Sequence, residues 1–297
     1  MATNQQRREA AKRKLERQLV RRAERAKRRK IVGAGVVGGV VLIVAGVVVW
    51  VVNSGGSGDD TAAASPPPSS SSSAPPVPTL TNIPTQRTAM PKRPQPVANP
   101  TSCTYAADAQ SPAGSKKPAV PEGKNVSSTG TVNATFKSTA GDIPVTLDRA
   151  LAPCTVQAIK SLIEQGFYTN TICHRLGVTD LQILQCGDPN AKGNVETDGQ
   201  GGPGFTLPDE YFAGEKYGRG ILAMANTSQP NSGGSQFFMV YGTAELPATY
   251  TIFGSISDDG LKVLDQIAKT GIGTVGQDGA TGEPKNPVKF TAVTVAA

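Results

Sequence analysis

Twenty-two consecutive residues, Ile31 to Val52, carry no charge, and thirteen Lys and Arg side chains stand before them. Nothing else in the 297-residue chain restricts its folding so strongly. As a helix, such a run spans roughly 30 Å of hydrocarbon. A cleaved leader has a shorter apolar run, about 7–15 residues. The nearest small-residue cleavage pattern, Ala62-Ala63-Ala64, lies well past this one. The reading is an uncleaved transmembrane helix over residues 31–52 behind a basic cytoplasmic segment over residues 1–30. Positive flanks stay in the cytoplasm, so everything after Val52 is expected outside, on a single-pass cell-membrane protein with the lipid bilayer as the anchor's partner.

The charge belongs to one end. The first thirty residues hold thirteen Lys and Arg against three Glu, a net of +10, whereas the whole chain is +7, so the remainder is −3. A basic chain of this kind implies no nucleic acid partner, because the cations are not spread over a folded domain. Residues 53–127 read as a Pro/Ser-rich linker, since fourteen of the 23 prolines fall between positions 53 and 121. The segment has no apolar face with which to offset its ordering entropy, so a disordered tether is expected. Its part 101–127 is expected to be clipped onto the domain that follows.

Residues 128–297 change character. Short apolar or alternating runs recur between Gly and Pro, giving candidate strands at 131–138, 142–148, 171–176, 181–186, 219–225, 236–241, 250–256 and 288–295. Two helices are expected. Residues 153–165 open on Pro153, a favoured first helical position, with Val156, Ile159, Leu162 and Ile163 on one stripe. Residues 258–268 carry Leu261, Val263, Leu264 and Ile267 behind Asp258 as the expected cap. Eight short strands and two helices point to a mainly β fold, an eight-stranded antiparallel closed β-barrel capped by two helices. They do not fit βαβ repeats.

Much chemistry is excluded. His174 is the single histidine, no G-x-S-x-G elbow accompanies it, and the glycines of 199–204 are followed by no Lys-Ser/Thr. Hydrolase, nucleotide-hydrolysing and oxidoreductase readings lose their parts. One histidine and no CxxC pair give no usual zinc site.

Five motifs then appear in order. They are His174-Arg175 with Gln185-Cys186-Gly187-Asp188, Gly201-Gly202-Pro203-Gly204-Phe205 with Pro208-Asp209-Glu210, Gly220-Ile221-Leu222-Ala223-Met224-Ala225-Asn226, Ser235-Gln236-Phe237-Phe238, and Tyr250-Thr251-Ile252-Phe253-Gly254. Together they resemble the cyclophilin-type peptidyl-prolyl cis-trans isomerases over nearly all of 130–297, and the anchor plus linker resembles membrane-anchored actinobacterial members. The resemblance implies rotation about X-Pro bonds in exported proteins, with proline-containing peptides as partners and no metal or cofactor. An alternative is a proline-peptide binding module or chaperone with little turnover.

The physics agrees with that implication. Rotation about the amide costs about 18–20 kcal/mol because the nitrogen lone pair is delocalised. The twisted nitrogen becomes an acceptor, which a fixed guanidinium can serve without any proton transfer. By the resemblance, Arg175 is that donor, Gln185 bonds the substrate backbone and orients Arg175, and Phe238 floors the proline pocket. Ile183 and Leu246 are its expected walls, Ala225 and Asn226 offer backbone groups, and Gln236 lines the neighbouring groove. Adjacent residues on a strand face opposite ways, so His174 reads as structural.

The chain also departs from the family pattern. Two extra residues separate Arg175 from Gln185, and Leu181, Gln182 and Ile183 stand where an aromatic is usual. The usual pocket histidine falls on Tyr250. Near Leu246 the usual tryptophan gives way to Ala244 or Glu245, so weak cyclosporin binding is expected. Four cysteines allow three disulfide connectivities in an oxidising compartment. The pairing expected is Cys154–Cys173 and Cys103–Cys186, with inert buried thiols as the alternative.

Overall fold

The computed structural model describes residues 76–108 and 116–296. The expected anchor, its basic flank and the first part of the linker lie outside these residues. No helix among the described residues is long and apolar enough to cross a membrane.

Among the described residues, thirteen strands and two helices follow one another: β1 (Ala106–Ala107), β2 (Thr131–Ser138), β3 (Gly141–Asp148), α1 (Pro153–Glu164), β4 (Ile172–Cys173), β5 (Arg175–Gly177), β6 (Leu181–Cys186), β7 (Phe205–Thr206), β8 (Ile221–Met224), β9 (Phe237–Ala244), β10 (Ile252–Ile256), α2 (Asp258–Thr270), β11 (Ile272–Val275), β12 (Thr281–Pro284) and β13 (Val288–Val295). Eleven strands form one sheet in the order β11-β12-β5-β6-β9-β8-β10-β3-β2-β13-β4, and β1 pairs with β7 apart from it. The expected eight-stranded closed barrel is therefore corrected to a curled half-barrel sheet with two ends, β11 and β4. The physical reason lies in the pieces. The run expected at 171–176 breaks at His174 into β4, which pairs with β13, and β5, which pairs with β6 and β12.

The two inner faces close over an aromatic core. Phe136 meets Phe290 at 5.0 Å and Phe237 at 5.1 Å between ring centroids, and Tyr168 meets Phe237 edge-on at 5.6 Å. Strands β2 and β3 alternate buried and outward residues, as period-2 patterning requires. In α1 the stripe Val156, Ile159, Leu162 and Ile163 is buried. Its N-cap position, Ala152, has no side-chain acceptor. Glu210, 56 residues from Cys154 in sequence, replaces it: one carboxylate oxygen accepts from Cys154 N at 3.0 Å and the other from Thr155 N at 2.7 Å. Helix α2 is capped by Ser257 rather than by Asp258, for the Ser257 hydroxyl accepts from Gly260 N at 3.0 Å. Asp258 and Asp259 sit instead in the first turn, where the helix dipole favours them.

The chain from residue 76 to 108 was expected to belong to a tether reaching residue 127. This strap is extended and nearly free of regular structure, yet it lies against the domain. Leu80, Ile83 and Met90 pack on the core. Thr81 N donates to Val178 O and Thr88 N to Arg219 O, both at 2.9 Å. Arg87 pairs with Asp258 at 2.8 Å, and Arg93 lies 5.4 Å from the centre of the Phe212 ring. Proline richness sets the extended backbone; these few apolar and cationic side chains fasten it.

The cysteines pair as Cys103–Cys154 and Cys173–Cys186, correcting the connectivity expected from sequence. Register decides one bond: Arg175 opposes Gln185, which brings the flanking Cys173 and Cys186 to 4.0 Å between Cα atoms. The strap decides the other. Cys103 N donates to Gly123 O and the Tyr105 hydroxyl to Cys154 O, which bring Cys103 to the start of α1.

Candidate active site

The β5–β6–β9–β8 ladder contains one rung that joins Arg175, Gln185, Phe238 and Ala223 as direct partners. Opposed residues of an antiparallel pair share a face. Arg175, Gln185 and Phe238 therefore share a face, and Ile183 and Gln236, two residues from rung members, join them. His174 is 6% exposed and lines a small cavity of about 140 Å³ together with Arg175. Burial pushes its imidazole below the ordinary value, Asp188 and Asp198 pull the other way, and neither ring nitrogen has a partner among the described residues.

A directed chain of hydrogen bonds runs along this face. Arg175 Nη1 donates to Gln185 Oε1 at 3.4 Å, Gln185 Nε2 donates to Gln236 Oε1 at 3.0 Å, and Gln236 Nε2 donates to Gly199 O at 2.9 Å and Gly201 O at 2.8 Å. Each amide thus has one possible orientation. The loop that receives it is tight: a side chain at Gly201 would come within 2.0 Å of Asp188 Oδ1. The remaining bonds of Arg175 come from the β11–β12 turn. Nε donates to Thr281 Oγ1 at 2.8 Å and Nη2 to Asp278 Oδ2 at 3.1 Å.

Beyond Gln185 a groove of about 470 Å³ opens, lined among others by Ala225, Asn226 and Gln236. Ala225 N donates to Gln236 O, and Asn226 Nδ2 donates to Thr249 O at 2.8 Å. Among the described residues lining the groove, only Asp108 carries a formal charge, and it comes from the strap. Phe238 is not in the groove and is 3% exposed. Its ring meets Tyr250 edge-on at 5.5 Å and Tyr217 at 6.4 Å. Tyr250 and Leu246 are half-buried beside the core, and Ile183 is buried. Tyr217, which the sequence reading did not single out, secures Tyr250: its hydroxyl accepts from Tyr250 N at 3.1 Å and donates to Tyr250 O at 2.8 Å. Asp278 and Thr281 were also missed. The only sequence signal for them is the turn-forming Asp278-Gly279 pair.

The arrangement offers a held guanidinium, polar amides and an aromatic ring on one face, with a polar groove alongside. It contains no nucleophile activated by a base.

Comparison with known proteins agrees with this geometry. The family model for cyclophilin type peptidyl-prolyl cis-trans isomerases matches residues 131–295. A protein of Mycobacterium leprae described as a probable peptidyl-prolyl cis-trans isomerase B is 44% identical over 193 residues, which cover 60% of this chain and 62% of the relative. Its counterpart in Mycobacterium tuberculosis is 42% identical over 175 residues, covering 54% of each chain. The chain thus spans less than two thirds of the length of these relatives. A solved structure of a cyclophilin type isomerase from Cryptosporidium parvum aligns with 57% of this chain and 99% of its own, at 26% identity and a TM-score of 0.46. With the family model covering more than half of its length, this chain belongs to the cyclophilin-type peptidyl-prolyl cis-trans isomerase family.

Proposed function

We propose that the domain is a peptidyl-prolyl cis-trans isomerase that turns X-Pro bonds in exported proteins and so assists their folding. One observation carries the reading: Arg175, Gln185 and Phe238 are direct partners on a single rung. A guanidinium has five N–H donors. Three are engaged by Thr281, Gln185 and Asp278, which leaves two for a substrate. A proline ring against Phe238, Ile183 and Leu246 would bring its nitrogen beside them. As the amide twists and its nitrogen lone pair localises, a donor already in place binds the twisted form more tightly than the planar one, and turnover rises. Gln185, Ala225 and Asn226 would hold the backbone, with Gln236 and Tyr250 bordering the groove and pocket. The catalytic set is Arg175, Gln185 and Phe238.

The low exposure of Phe238 favours a second reading, a proline-peptide binding module with little turnover. One experiment separates the two. Cis-to-trans exchange of a short X-Pro peptide is followed by NMR with residues 76–297 and with the Arg175→Ala variant. Acceleration that falls at least tenfold in the variant, with peptide binding retained, establishes the isomerase. Binding without acceleration by the folded wild type establishes the module.

The anchor at 31–52, the cytoplasmic basic segment, the tether and the extracytoplasmic domain belong to the same proposal. Their support is the uncharged run behind thirteen cations together with two disulfides, which persist in oxidising compartments. Protease added to intact cells should remove the domain and spare the segment 1–30. Cyclosporin should bind weakly, because Ala244 or Glu245 stands where sensitive members carry tryptophan; titration calorimetry reads this directly.

A further inference from the structure

We propose that Asp278 and Thr281 are positioning residues, which hold the Arg175 guanidinium in the orientation that the isomerase reaction needs. The inference rests on the isomerase reading and deepens it. Asp278 divides its two carboxylate oxygens between two tasks. Oδ1 serves the turn, accepting from Ala280 N at 3.0 Å and Thr281 N at 2.9 Å. Asp at the head of a tight turn ordinarily stops there. Here Oδ2 serves the site instead: it accepts from the Thr281 hydroxyl at 2.6 Å and from Arg175 Nη2 at 3.1 Å.

The Thr281 hydroxyl has a single proton, and the bond to Asp278 uses it. Its oxygen must therefore accept from Arg175 Nε, which lies 2.8 Å away. The direction of every bond is settled from Asp278 through Thr281 to Arg175, and from there through Gln185 to Gln236. The β5–β12 pairing leaves room for this. Gly177 opposes Thr281, and a side chain there would come within 2.0 Å of Leu181 O and 3.2 Å of Thr281 Cγ2. Thr281 is 4% exposed, so water does not compete for its hydroxyl. The Asp278 carboxyl stays charged: partial burial pushes it up, but the bonds from Thr281 and Ala280 and the charge of Arg175 outweigh that and hold it at about 2.

A flexible arginine would have to order itself in each passage over the barrier. Three acceptors spaced around one planar group remove that requirement. The geometry also makes the turn and site tasks separable. Asp278→Asn can keep its amide oxygen on the turn, while its NH2 faces the donors of Arg175 and Thr281.

The test uses residues 76–297, peptide-exchange kinetics and NMR of the Arg175 Nε–Hε group. Asp278→Asn and Thr281→Val should each lower kcat about tenfold with KM little changed, and should loosen the guanidinium on the nanosecond timescale. In an Arg175→Lys background, Asp278→Asn should cost no more than about twofold. A kcat within twofold of wild type for both variants, an equal tenfold loss in the Arg175→Lys background, or a guanidinium as mobile in wild type as in Asp278→Asn overturns the proposal. A folded wild type without turnover removes the isomerase reading, and the positioning role falls with it. Turnover that depends on Arg175 but not on Asp278 removes the positioning role alone.

Discussion

Glu210→Ala should be among the most destabilising single changes outside the core. The Glu210 side chain caps α1, which supplies no cap of its own at Ala152. It is 8% exposed and accepts three hydrogen bonds, from Cys154 N, Thr155 N and the Thr155 hydroxyl. Truncation leaves two buried backbone donors without partners, at about 1–3 kcal/mol each. It also removes a negative charge from a helix N-terminus, worth about 0.3–2 kcal/mol. Against this stands the desolvation of the carboxylate, which burial holds above the ordinary carboxyl range while the bonds from Thr155 and Cys154 pull it down. A net loss of about 4 kcal/mol results, and for a domain of 150–250 residues each kcal/mol moves Tm by about 2–4 °C. The variant should melt about 8–16 °C below wild type. Glu210→Gln keeps the shape with one acceptor in place of two and should fall about halfway. The assay is calorimetric unfolding of the oxidised protein at pH 7, with Cys103–Cys154 verified intact. A Glu210→Ala variant that melts within 2 °C of wild type would refute the long-range cap.

The disulfides give a second prediction. In the chain-entropy account, closing 51 residues by Cys103–Cys154 stabilises by about 4 kcal/mol and closing 13 by Cys173–Cys186 by about 3 kcal/mol. Replacing Cys103 and Cys154 by serine should therefore lower Tm more than replacing Cys173 and Cys186, and non-reducing peptide mapping should recover these two pairs. Glu215 gives a third. Burial raises its carboxyl to about 7 from 4.5, against the opposing bond from Phe212 N and the charge of Arg93. The folded state then keeps a proton that the unfolded chain releases, so stability falls as pH rises from about 4.5 to 7. Glu215→Gln should flatten that slope in urea unfolding and should be more stable than wild type at pH 8.

Strands β2, β6 and β13 were legible in the sequence to the residue, because each apolar or alternating run is bounded at one end by Gly or Pro: Gly130 before β2, Gly187 after β6 and Pro287 before β13. Helix α1 was legible through Pro153 and its stripe. The pair β11 and β12 was not: Gly273, Gly276, Gly279 and Gly282 give it little strand propensity, and it forms because β5 offers an edge to pair with. The two-residue strands β1 and β7 carry too little pattern to read. In the site, Arg175, Gln185 and Phe238 were readable only through motifs, since an isolated strand arginine or phenylalanine says nothing about its partners. Asp278 and Thr281 stand 103 and 106 residues from Arg175, and no local rule reaches that far. The cysteine pairing failed for the same reason, because register and the course of the strap decide it.

The bond between Cys103 and Cys154 has a mechanical consequence. Tension entering from the N-terminal side meets residues 76–102 first. They are held by separate hydrogen bonds, one exposed ion pair and the side chains of Leu80, Ile83 and Met90, which would yield one after another at low force. Cys103 then stops the peeling, because the next link is covalent and leads to the first turn of α1. The load passes into that helix and its buried stripe, while the β5–β6–β9 rung stays out of the line of pull. The strap thus behaves as a slack-taking fuse in series with a rivet, and the catalytic face can keep its geometry while the chain ahead of it is stretched.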